Sequence, residues 1–212
     1  RAAIAGELTV VLPNGDVITR QGRIDDERGG FSDLYPSAAM RWNRGVHNYM
    51  LYTMGDIPIG AYDADRLANI GIGHGAVDLG GAYTYFNPHN GREFSAASGF
   101  TYNFENEDTF YQNGVDWHLD WAASQFLSES MHVGLTGYVY QQLTDDDGAP
   151  PRADGFRSRV MGIGPQMGLI IPVSDSHQGY LNFKGMADFN AKNRADGWSV
   201  WLTFALSPAA HH

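Results

Sequence analysis

Along much of this chain, apolar and polar side chains alternate with a period of two. Between 115 and 127 one parity carries Val115, Trp117, Leu119, Trp121 and Ala123, and the other carries Asp116, His118, Asp120, Ala122 and Ser124. The next segment repeats the split, with Met131, Val133, Leu135, Gly137 and Val139 against His132, Gly134, Thr136, Tyr138, Tyr140 and Gln142. Near the end Trp198, Val200, Leu202, Phe204 and Leu206 oppose Ser199, Trp201, Thr203 and Ala205. Segments 93–104 and 178–190 follow the same rule, with Phe94, Ala96, Phe100 and Tyr102 in one and Leu181, Phe183, Ala187 and Phe189 in the other on the apolar side. A period of two means strands with two chemically different faces. At about 11 to 14 residues they exceed the usual strands of globular sheets and match what a tilted membrane strand requires.

The connections alternate in length. Pro13-Asn14-Gly15 is tight and 24–30 longer; Asn43-Arg44-Gly45 is tight and 59–75 long; 87–91 is tight and 105–113 long; Ser128-Glu129-Ser130 is tight and 145–155 long. Segment 173–177 is short, 191–196 is intermediate, and the final strand runs to about Ser207. Short turns at one end and long loops at the other are the habit of bacterial outer-membrane barrels. The sequence therefore predicts an all-β fold, an antiparallel transmembrane up-and-down β-barrel, with about eleven strands in this chain. Because the first strand, about 7–12, would descend toward a periplasmic turn, an odd number of strands is expected before Arg1, giving 12 to 14 in the complete protein. Residues 1–212 read as one outer-membrane β-barrel domain lacking N-terminal strands. The competing expectation is a soluble β-barrel that binds a ligand in its core, which alternation alone explains equally well.

Composition changes the picture in a few places. The 212 residues include 26 glycines, are 13% aromatic and only 18% charged, and contain no cysteine. Mean hydropathy decides nothing, since a barrel shows lipid only every second side chain. No apolar run approaches the roughly 20 residues of a spanning helix. The net charge is -10 and the 14 basic residues are scattered, so the electrostatic footprint of a nucleic-acid binder is missing. No apolar signal segment opens the chain, and His211-His212 are given no functional weight. Trp42, Tyr83, Tyr85, Trp117, Trp121 and Trp198 fall on the outward parity, several near strand ends where aromatic girdles form.

Beyond Gly55 the words of the sequence resemble a known family. Gly55-Asp56-Ile57-Pro58-Ile59-Gly60-Ala61-Tyr62-Asp63 and Arg66-Leu67-Ala68-Asn69-Ile70-Gly71 open the likeness. It continues through Phe100-Thr101-Tyr102-Asn103-Phe104, Tyr111-Gln112-Asn113-Gly114 and Tyr138-Val139-Tyr140-Gln141-Gln142-Leu143-Thr144 to Trp201-Leu202-Thr203-Phe204. These resemble the outer-membrane family linked to the meta-pathway of phenol degradation. The resemblance implies a barrel related to the FadL-type channels for hydrophobic and aromatic compounds, and favours fourteen strands. It carries over no defined binding residues, and the first hundred or so residues expected of a member are absent.

Candidate chemistry is sparse. The lumen-lining candidates are Arg41, Asp56, Asp116, His118 and Asp120, with Tyr138, Tyr140, Arg159, Lys184 and Trp201. Asp116, His118 and Asp120 have a spacing that also occurs in metal or acid/base clusters, but a water-accessible barrel interior explains them more simply. Ser124, His118 and Asp120 lie along one strand and do not converge as a triad, so no catalytic residue is expected and the chain is not read as an enzyme. Gly71-Ile72-Gly73-His74-Gly75-Ala76 spells a dinucleotide fingerprint in the wrong context, a loop running into a strand. Asp145-Asp146-Asp147-Gly148 reads first as a solvated acidic loop and second as a cation-bridged contact with lipopolysaccharide. No metal or cofactor is expected. The expected partners are outer-membrane lipid, lipopolysaccharide and a small hydrophobic or aromatic solute, and the expected function is passive uptake across the outer membrane.

Overall fold

A computed structural model describes residues 2–11, 17–148 and 155–208. Eleven strands follow one another: β1 Ala2–Val11, β2 Val17–Asp26, β3 Ser37–Arg44, β4 His47–Asp56, β5 Ala76–Asn87, β6 Arg92–Asn103, β7 Asp116–Ser128, β8 Met131–Gln142, β9 Arg159–Ser174, β10 His177–Lys192 and β11 Trp198–Pro208. Each is antiparallel to its sequence neighbour from β3 to β11, and these nine form one sheet in chain order, while β1 and β2 pair with each other in a sheet of two. The described nine-stranded sheet is open, its edges being β3 and β11. All-β and antiparallel, it matches the fold expected from the alternation.

The connections differ in length as the sequence implies. At one end the turns are tight, as at 45–46, 88–91, 129–130 and 175–176; at the other they span 57–75, 104–115 and 143–158. Gly45 (φ 66°) gives the two-residue β3–β4 turn a positive φ that a residue with a Cβ adopts only under strain. The expected Pro13-Asn14-Gly15 turn and the last part of the 145–155 loop lie outside the described residues.

Packing is inverted relative to a soluble sandwich. Only Ala68 and Val160 are buried hydrophobic residues among those described, whereas Asp56, Asp78, Asn103, Asp116, His132, Thr136, Gln142 and Asn182 are all buried. Leu135 is 50% and Leu202 70% exposed. One face of the sheet is thus a nearly continuous apolar surface, and polar side chains pack on the other. Water would drive such a surface to aggregate, so hydrocarbon is its natural surrounding.

Glycines let the polar face close on itself. The Tyr52 ring lies across Gly80 and Gly99, Tyr138 across Gly162, and the His132 imidazole across Gly168; a methyl group at any of these glycines would collide with the ring above it. Each ring therefore reaches past the strand beside it. Tyr138 on β8 donates to Asp188 Oδ1 on β10 at 2.6 Å, and His132 Nε2 on β8 meets the Tyr180 hydroxyl on β10 at 2.8 Å.

The long loops interlock at their end of the sheet. Asp33 accepts from the amides of Gly60 and Ile72, each at 2.8 Å. Gln112 and Asp147 exchange both backbone hydrogen bonds, at 3.1 and 2.9 Å. Arg66 binds Asp26 (Nε to Oδ2, 3.1 Å), and Arg157 Nε binds Asp145 Oδ1 at 2.8 Å. The acidic run is thus a set of loop pins: Asp146 Oδ1 accepts from the Gly114 amide (2.9 Å) and from Gln142 Nε2 (2.6 Å).

Two outcomes follow. Gly162→Ala pushes Tyr138 off Asp188 and destabilises the folded protein by about 1–3 kcal/mol, whereas Gly197→Ala, with open space at its Cα, stays within about 0.5 kcal/mol of the parent; unfolding in detergent with urea measures both. The Arg157 guanidinium, by hydrogen bond and then by charge, holds the exposed Asp145 carboxyl below its ordinary range. A depressed carboxylate pKa stabilises above the unfolded value and loses that contribution as pH falls through the folded one. Protection of the Asp147 amide, taken relative to the intrinsic exchange rate at each pH, should therefore fall only on acidification below the usual aspartate range, and Asp145→Asn should show the lower protection already at neutral pH.

Candidate functional site

The strand register assigns each candidate to a face. Met54, Asp78, Thr101, Asp116 and Gln142 stand side by side across β4 to β8, and Tyr52, Gly80, Gly99, His118 and Tyr140 form the next row. Both rows belong to the polar face, near the long loops. The row between them, Thr53, Leu79, Phe100, Trp117 and Gln141, belongs to the apolar face.

On the polar face, Asp78 Oδ2 accepts from Thr101 Oγ1 at 2.7 Å and faces His118 Nε2 at 2.9 Å, with the Tyr52 hydroxyl 3.4 Å from the same nitrogen. His118 crosses from β7 to β5 because the intervening residue of β6 is Gly99. Beside it Asp116 is fully engaged: Oδ1 accepts from the Tyr140 hydroxyl at 2.6 Å and Oδ2 from Asn103 Nδ2 at 3.0 Å. Ser158 Oγ and Gln142 Oε1, 3.0 Å apart, extend this network toward the loops. The Arg194 guanidinium stands over the Tyr140 ring, 4.3 Å from its centre.

These two networks border a cavity of about 430 Å3 that opens at the loop end of the sheet. Asp56, Asp78, Asp116, His118 and Tyr140 line it together with the rings of Tyr35 and Tyr52. Its polar lining is rich in carboxyl groups, with Thr101 and Asn103 beside them, and its apolar lining combines tyrosine rings with Met54 and Ile72. A chamber of this kind can hold a small organic molecule, the apolar walls taking its body and the carboxylates its polar end.

Of the sequence candidates, Asp56, Asp116, His118 and Tyr140 meet at this cavity. Asp120 is on the same face and exposed, its Oδ2 3.9 Å from His118 Nδ1. Tyr138 belongs to the neighbouring pair with Asp188. Arg41 lies on the same face toward the short turns, its Nε 3.3 Å from Met50 Sδ. Lys184 and Trp201 are opposite each other on β10 and β11, and share the polar face with Asn182 and Thr203. Arg159 is a correction: it pairs with Gln141, which aligns with Trp117, and so sits on the apolar face at the loop end of β9. Parity is hard to count there because Gly162, Gly164, Pro165 and Gly168 strip β9 of the alternation that marks the other strands.

Sequence reasoning passed over Tyr52, Asp78, Thr101 and Asn103. The signal for Asp78 was present, since it stands between Val77 and Leu79 as Asp116 stands between Val115 and Trp117. Gly80-Gly81 interrupts the pattern immediately afterward. Toward the short turns, His132 packs with Phe126 (ring centres 5.0 Å apart) and Tyr180 (5.9 Å), and Phe126 with Phe86 (5.2 Å). On the apolar face Trp42, Tyr49 and Tyr83 form a belt beside the 45–46 turn, with ring centres 6.0 and 5.5 Å apart. Aromatic belts of that kind occur where a membrane's headgroups begin.

Comparison with known proteins agrees with this architecture. A structure of an outer membrane channel from Pseudomonas putida F1 superposes with a TM-score of 0.64 at 15% identity, over 87% of this chain and 67% of that one. No protein of curated function matches the chain. A family model described as the MetA-pathway of phenol degradation matches residues 5–204. An inverted, lipid-facing sheet with this match over nearly its whole length makes the chain an outer-membrane β-barrel protein, and it belongs to the family of the MetA-pathway of phenol degradation.

Proposed function

We propose that the chain forms most of the wall of a passive outer-membrane channel for small hydrophobic or aromatic compounds. The observation that carries this reading is the inversion of the sheet, with Leu135 and Leu202 exposed while Asp78, Asp116 and His132 are buried. Apolar side chains face lipid in such a barrel and the polar face encloses a path for solute. Arg41, Asp56, Asp116, His118, Asp120, Tyr138, Tyr140, Lys184 and Trp201 would line that path. Supporting it are the description of the family, which links it to phenol degradation, and the shared fold with a protein described as an outer membrane channel.

Transport of this kind asks no bond-making of the protein. Rings such as Tyr52, Tyr138 and Tyr140, set among hydrogen-bonding groups, can hold an apolar solute by its faces and still release it, which conduction requires. Outer-membrane lipid covers the apolar face, and lipopolysaccharide meets the loop end. The soluble alternative needs the opposite arrangement, with Trp117, Leu135 and Leu202 turned into a dry core.

Swelling of proteoliposomes carrying the full-length protein tests the reading with phenylalanine and glucose, two small solutes that cross bare lipid slowly. Phenylalanine should enter several-fold faster. Equal rates would reduce the protein to a general pore, and rates equal to those of protein-free vesicles would remove the channel.

A further inference from the structure

The loop-end cavity has an imbalance that the channel reading does not use. Asp56 on β4 and Asp78 on β5 are about nine-tenths or more buried, at 9% and 5% exposure, and both line the cavity. Asp56 pairs with Ala76 and Met54 with Asp78, so the two residues are diagonal neighbours on one face, their Cβ atoms about 7 Å apart. In each, the Oδ1 atom is buried without a hydrogen-bond partner among the described residues. Asp116 differs, because Tyr140 and Asn103 occupy its two oxygens.

Such bare buried acceptors are costly unless something donates to them. The groups of opposite charge nearby are committed elsewhere. His118 addresses Asp78 through Oδ2, and Arg194 stands over Tyr140. His74 directs Nδ1 to the Gly75 carbonyl at 3.0 Å and has Asn113 Nδ2 at its other nitrogen, 3.3 Å away. Among the described residues no lysine lines the cavity. The remaining lining offers three phenol rings, those of Tyr35, Tyr52 and Tyr140. The Tyr140 ring already takes a cation on its face, that of Arg194.

We infer that this cavity is a binding site for a protonated amine carried on an apolar or aromatic body. An ammonium group brings several N–H donors and a positive charge to the two free carboxylate oxygens, while its organic body packs on the tyrosine rings and Met54. A carboxylate ligand would meet Asp56, Asp78 and Asp116 with like charge, and is disfavoured. An alcohol of the same shape falls between, with one donor and no charge. The inference deepens the channel reading by naming the charge class that the entrance favours, and it rests on that reading only for what happens to the amine after it binds.

Titration calorimetry of the full-length protein in detergent, with benzylammonium, benzyl alcohol and benzoate, tests this at neutral pH. Benzylammonium should bind about tenfold or more tightly than benzyl alcohol, and benzoate should show no measurable binding. Asp56→Asn, at the end of β4 and outside the His118 network, and Asp78→Asn should each erase most of the advantage of benzylammonium over benzyl alcohol. Should Asp78→Asn fail to fold, Asp56→Asn with the three-ligand ranking still decides. Benzoate binding as tightly as benzylammonium, or an ammonium preference untouched in the folded variants, overturns the site. Phenylalanine flux in proteoliposomes separates the two readings: flux without ammonium preference removes the site and keeps the channel, and ammonium binding without flux does the reverse.

Discussion

A strand that touches hydrocarbon must have every backbone N–H and C=O paired by its neighbours, because lipid offers no substitute partner and each bare group costs several kcal/mol. That requirement governs this protein more than any side chain does. It explains the unbroken ladder order from β3 to β11 and the length of strands such as β9 and β10, 16 residues each. With the backbone of β4 to β10 committed to ladders on both sides, one row of side chains faces lipid and the next faces the interior. Every chemical property of the site is then a choice made at alternate positions.

The interior is organised by size as much as by polarity. Large polar side chains such as Tyr52, His118, Tyr138 and His132 lie along the sheet instead of standing up from it, and they can do so only where glycine occupies the adjoining strand. Hydrogen bonds therefore skip a strand, joining β7 to β5 and β8 to β10. The cavity is bounded by these flattened side chains and by the loops above, which Asp33, Asp146 and the Gln112–Asp147 exchange hold together.

How much of this the sequence displayed depended on how strictly each strand alternates. In β7, β8 and β11 parity is unambiguous, and Trp117, Leu135, Leu202, Asp116, His118 and Tyr140 fall on the faces their neighbours dictate. In β5 and β9 it fades, because Gly80, Gly81, Gly162, Gly164 and Gly168 carry no side chain to count. Asp78 went unnoticed and Arg159 was assigned to the wrong face for that one reason. Alternating loop length located the end of the sheet where the cavity opens. Which polar residues meet there depends on register, and register is a relation between strands that a single strand's pattern does not contain.

The rings that lie over glycines have an evolutionary corollary. Tyr52 belongs to β4, yet the space it fills belongs to β5 and β6, so three separate stretches of gene share one steric requirement. A bulkier residue at Gly80 or Gly99 is tolerable only in a lineage that has first trimmed position 52. Drift at such sites should be ordered in time, shrinkage preceding growth, and relatives that have lost the tyrosine are the ones free to lose the glycines.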